Sequence, residues 1–171
     1  WYHDGTVCGI ADLKGDVWEW SGGLRFVFGE VQVLADNSAA DLDNPQNASS
    51  AMWKAIDATS GSLIDPKGDG RTANSVKVDI VSGKMQYTTI ANATGNVNCK
   101  FAEITCAASI GAAAKAVLQA LGLLCTDTSA DYATSQCYLN NAEAERLVFR
   151  GGGWYYSAYG LFSFRGSNPR S

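Results

Sequence analysis

Gly15-Asp16-Val17-Trp18-Glu19-Trp20 is the stretch on which the reading of this chain turns. Gly-Asp makes a turn, and the strand that follows sends Trp18 and Trp20 to one face and Glu19 to the other. Two large apolar side chains on one face predict a pair of core anchors. Downstream, Ser21-Gly22-Gly23 punctuates the strand, Leu24-Arg25-Phe26-Val27-Phe28 resumes it, and Gly29-Glu30 turns it into Val31-Gln32-Val33-Leu34.

Residues 35–50, rich in Asp, Asn and Ala, predict a polar loop. Ser49-Ser50 is placed to cap a short helix over residues 51–57, with Trp53 and Ile56 on one face. A Gly- and Asp-rich stretch from Gly61 to Gly70 precedes a hairpin whose strands are residues 75–81 and 84–90, joined at Ser82-Gly83. Ala112 to Leu124 carries Ala113, Val117, Leu118 and Leu121 at helical spacing and predicts a second helix. Arg146-Leu147-Val148-Phe149-Arg150 is a strand feeding Gly151-Gly152. The expected class is α+β, with short strands, two helices and long irregular connections.

The 171 residues suffice for one domain with its own core. No apolar run reaches the ~18–20 residues of a membrane span. A net charge of −4 argues against a nucleic-acid partner, which requires a basic surface. Five cysteines (Cys8, Cys99, Cys106, Cys125 and Cys137) and the single His3 lack zinc-ligand spacing. The thiols read either as buried and reduced or as local Cys99–Cys106 or Cys125–Cys137 disulfides.

Taken with Arg150-Gly151-Gly152-Gly153-Trp154, the segment from Gly9 to Trp20 resembles the frame of the formylglycine-generating-enzyme branch of the C-type lectin fold. The resemblance implies that residues 1–171 are a single ligand-binding domain lacking one final strand, hence a C-terminal fragment of a longer protein. It also implies a structural Ca²⁺ held by Asp12, Gly15, Val17 and Glu19, oxygen donors at the close spacing a hard cation takes. The alternative is that Asp12 and Glu19 only hydrogen-bond the turn.

The enzymes of that branch need two thiols shortly after the Gly-Gly motif, where this chain has Tyr156 and Leu161. The related iron enzymes need several histidines. The expectation is therefore a non-enzyme. No other catalytic set stands out: His3 is alone and the carboxylates are scattered.

The tail from Gly153 to Ser171 is similar to the variable region of retroelement-diversified ligand-binding proteins. In these, adenines of Asn-type codons are randomised, and Tyr, Ser, Gly and Arg are all reachable from them. The resemblance implies a variable, tyrosine-rich surface made of Gly153, Tyr155, Tyr156, Ser157, Tyr159, Ser163, Arg165 and Ser167. Trp154, Gly160, Leu161, Phe162, Asn168, Pro169 and Arg170 are its expected scaffold. Tyr, Ser and Gly together are also the residues of antibody-like contact loops. The function so implied is host recognition by a phage or prophage tail protein. Its target would be a cell-surface protein or glycan, and it would be carried on the virion as a homo-oligomer such as a trimer. A bacterial cell-surface adhesion protein and a degenerate formylglycine-generating-type enzyme are the alternatives.

Overall fold

The computed structural model describes residues 18–40, 46–153, 155, 158–160 and 162–170. Among the described residues, eleven strands form one mixed sheet: β1 (Trp18–Val27), β2 (Glu30–Leu34), β3 (Trp53–Ile56), β4 (Leu63–Ile64), β5 (Lys77–Val81), β6 (Lys84–Thr88), β7 (Asn96–Lys100), β8 (Thr105–Cys106), β9 (Gln136–Asn140), β10 (Arg146–Gly151) and β11 (Phe164–Asn168). Their order is β7-β9-β11-β10-β1-β2-β5-β6-β8, with β3 and β4 branching from β2. Pairing is antiparallel except for β11 with β9 and β6 with β8.

The expected α+β class with two helices, and with it the C-type lectin architecture, is corrected here. Among the described residues there is one α-helix, α1 (Ala112–Ala120), besides short 3-10 turns, and strands dominate. The segment predicted as the other helix is β3. Trp53 and Ile56 do fit a helical spacing, but Gln32↔Ala55 and Leu34↔Trp53 pairing supplies the backbone with a sheet ladder instead. Such short apolar segments follow the partner available in the tertiary structure.

Two hairpins form as their turns demand. Phe28 and Gly29 both have positive φ (47° and 79°), as do Ser82 and Gly83 (51° and 75°), the two-residue geometry that matches strand twist. β2 alternates polar and apolar from Glu30 to Val33 and is buried on both faces. Val31 and Val33 lie opposite Phe26 and Leu24 in the main core, while Glu30 and Gln32 face a polar layer with Arg25. The main core closes where Met85 and Tyr87 of β6 join Val97 and Cys99 of β7, with Ala114 and Leu118 of α1 packed on them.

β1 is two strands in one. Its register with β10 runs Trp18↔Gly151 to Trp20↔Phe149, slips across Ser21-Gly22-Gly23, and resumes at Arg25↔Leu147. Only the half from Leu24 onward also pairs with β2. The inner half is therefore buried, whereas residues 18–20 are covered on fewer sides.

Candidate functional site

The slip in β1 decides the fate of the two tryptophans. Trp18 is half-buried and Trp20 is 59% exposed, so the expectation that both anchor the core is corrected. Beyond the Gly22-Gly23 break, β2 no longer covers this part of β1. The rings pack on each other's neighbours: Phe149 of β10 sits edge-on to Trp18 at 5.0 Å and to Trp20 at 5.2 Å. Alternation puts Glu19, itself exposed, on the opposite face.

β11 runs beside β10 and adds Arg165, Ser167 and Asn168. With Tyr155, which is 62% exposed, these side chains line a cleft of about 280 Å³ around Trp18, Trp20 and Phe149. Arg165 is held between two rings: its guanidinium lies 5.0 Å from the Tyr138 ring centre and 6.0 Å from that of Trp18, within cation–π range. Its Nε donates to Ser167 Oγ at 3.1 Å. Neither terminal nitrogen of the fork has a hydrogen-bond partner among the described residues.

The glycines beside the cleft serve it directly. Gly151 has φ 84°, which suits glycine, and a Cβ on Gly152 would meet Tyr159 Cβ at 2.7 Å. Arg150 turns away from the cleft to the end of α1, where Nη1 donates to Gly122 O at 3.1 Å and Nη2 to Leu121 O at 2.8 Å. A cation there satisfies carbonyls the helix leaves open and complements its dipole. Burial lowers the pKa of this guanidinium.

The structure divides the expected variable set. Tyr155, Arg165 and Ser167 share the cleft. Tyr159 is only 9% exposed, its ring edge-on to Trp18 at 5.0 Å, so it is scaffold. Ser163 is fully buried, its Oγ accepting from Gly160 N at 2.8 Å, and Gly153 is buried beneath the Tyr155 ring. Small size hides these two, which is why their residue type reads like a surface loop. Tyr156 and Ser157 lie outside the described residues, as do the expected scaffold positions Trp154 and Leu161. Phe162, expected in the core, is 37% exposed, stacked on Phe101 and tilted against Tyr132. Arg170 is a structural residue that ties the chain's last described segment to Glu145 and to the Gln46 carbonyl.

Of the expected calcium ligands, Asp12, Gly15 and Val17 lie outside the described residues, leaving Glu19. Among the described residues no group of three or more His, Cys, Asp or Glu converges as metal ligands. Four cysteines are described, all as free thiols; neither expected disulfide is present among them. Instead Cys99 and Cys137 stand opposite each other on β7 and β9. Burial raises both thiols, Cys137 to about 12.

A larger hollow of about 750 Å³ lies away from the cleft, beside the hairpin tip at Phe28 and the segment 69–74. Thr72 and Lys77 of its lining join a buried polar chain that runs behind it. Lys77 Nζ donates to Ser75 Oγ at 2.6 Å and Thr72 O at 2.7 Å, and Ser75 Oγ donates to Glu30 Oε2 at 2.6 Å. Gln32 Nε2 donates to Glu30 Oε1 at 2.8 Å, and Arg25 joins Gln32 to Glu145. Burial lowers Lys77, with Glu30 and Asp69 opposing. Asn141 is equally committed, donating to Val78 O and Ala93 O while accepting from Gly95 N. Ser75 meets Lys77 at a distance suited to a nucleophile and its base, but its full burial keeps substrate away.

No protein-family model matches this chain, and no curated protein is similar to it at a significant level.

Proposed function

We propose that this chain is a recognition domain that presents the aromatic cleft around Trp20, Tyr155 and Arg165 to a cell-surface protein or glycan of a host cell. The observation that carries this is the convergence on a single cleft of two exposed aromatic rings and one guanidinium fork with no hydrogen-bond partner among the described residues. Exposed Trp, Tyr and Arg are the side chains that dominate binding energy at recognition surfaces. Retroelement-driven variation of Tyr155, Arg165 and Ser167, within a phage or prophage tail protein, is the biological setting that fits this surface. Copies on one particle would add avidity. A fixed-specificity adhesion protein on a bacterial surface is the competing setting.

Cell binding by the purified chain, alone and as Trp20→Ala/Tyr155→Ser, tests the reading. Binding that vanishes in the double variant at unchanged melting temperature supports it; binding that persists overturns it. Sequencing the coding region across a natural population separates the two settings. Substitutions concentrated at Tyr155, Arg165 and Ser167 favour diversification, and an evenly constant tail favours fixed specificity.

A further inference from the structure

We infer that the cleft takes an acidic saccharide, seating the sugar ring on the aromatic side chains and its carboxylate on Arg165. This rests on the recognition reading above and narrows it to a ligand class.

The lining decides the sign of the ligand's charge. Among the described residues, Arg165 is the cleft's one charged group, and no carboxylate lines it, although the chain as a whole carries −4. A cation would be repelled, so the aromatic rings do not form a cage for an ammonium group. Nη1 and Nη2 have no partner among the described residues, while Nε is bonded to Ser167 and the guanidinium is held between Tyr138 and Trp18. Such a fixed fork matches the two oxygens of a carboxylate and loses little entropy on binding.

Size and wall chemistry decide the rest. About 280 Å³ lies just below the ~300–1,000 Å³ range of ligand pockets, room for a single ring rather than a peptide segment. A pyranose offers a flat C–H face, which packs against an indole or phenol ring, and an edge of hydroxyls. Trp20 supplies an exposed ring, and at the polar side the Ser167 hydroxyl donates to Asn168 Oδ1, which leaves the Asn168 amide nitrogen as the donor facing a sugar hydroxyl. A ligand with one apolar face, one polar edge and one carboxylate answers all three.

The test compares methyl β-glucuronide with methyl β-glucoside, which share a ring and differ in the carboxylate, by NMR titration of the Trp indole signals. The glucuronide is expected to bind at least ~10-fold more tightly, about 1.4 kcal/mol. Arg165→Gln should erase that preference, Arg165→Lys should keep part of it, and Trp20→Ala should weaken both sugars. Melting temperatures confirm that each variant is folded. Equal binding of the two sugars overturns the acidic preference, and binding of neither overturns the saccharide assignment. Cell binding that still depends on Trp20 in either case leaves the recognition reading standing; its loss removes both.

Discussion

The hollow beside Lys77, about 750 Å³, and the aromatic cleft, about 280 Å³, are opposites in how their polar groups are used. In the larger one, the buried lining groups Thr72, Lys77 and Asn141 are bonded to Ser75, Glu30 or the backbone and have little left to offer a ligand, while other polar lining residues, Arg71 and Asn74 among them, are exposed. In the smaller one, the Arg165 fork has no hydrogen-bond partner among the described residues, and Trp20 is exposed. A buried group already paired gains nothing from a ligand, whereas an oriented donor lacking a protein partner does.

The sharpest way to break the contrast is Glu30→Ala. Removing this buried carboxylate strands the Thr72 amide and the Gln32 side-chain amide and takes an acceptor from Ser75. It also leaves the Lys77 ammonium with only the weaker counter-charge of Asp69, and should cost about 3–5 kcal/mol. Urea denaturation measures it; a loss below ~1 kcal/mol would mean the chain of polar groups is not structural. Next comes the division within the tail. Tyr159→Ser should cost about 2–4 kcal/mol by opening a cavity beside Trp18, whereas Tyr155→Ser should stay within ~0.5 kcal/mol. Equal costs in the same denaturation assay would erase the line between scaffold and surface.

A smaller effect follows from pH. Asp57 is held at about 2, first by the Ser60 amide and then by the Ser60 hydroxyl and Asn74. Burial alone would raise Glu145, but Arg170 and Arg25 outweigh it and keep it below the ordinary carboxylate range. Both pKa values are lower in the folded than in the unfolded state. Their stabilisation is thus complete above the unfolded values near ~4 and is lost as pH falls, for Asp57 down to about 2. The urea midpoint should fall between pH 5 and 2.5 on the order of the smaller effects above, and a flat profile would contradict these assignments. The smallest effect is kinetic. Among the described cysteines, a thiol reagent at pH 8, on the order of an ordinary thiol pKa, should modify half-exposed Cys125 well before Cys137, which mass spectrometry resolves.

Local chemistry made several elements legible from the chain alone. Positive φ at Ser82-Gly83 was encoded by glycine between alternating strands, whereas the first turn centres on Phe28-Gly29, one residue before the expected Gly29-Glu30, and the helix expected over Ala112 to Leu124 by apolar spacing ends at Ala120. The cleft was legible only in part. Tyr155 and Arg165 belong to a tail whose composition pointed to contact, but Trp20 reads as core, and Phe149 and Asn168 carry no local mark of a site. The break after Trp20, at Ser21-Gly22-Gly23, was the available signal that the aromatic pair leaves the core.

What the sequence by itself determined is therefore what a few neighbouring residues decide: turns, strand alternation, one helix and the aromatic character of the tail. Tertiary structure alone decided that residues 53–56 extend rather than coil, that Tyr159 is covered and Tyr155 is not, and that Trp20, Phe149 and Arg165 meet. The physical reason is range. Dihedral preference and side-chain period act within a turn or two, whereas burial depends on which strand pairs next, and β1 meets β10 only across more than a hundred residues of chain.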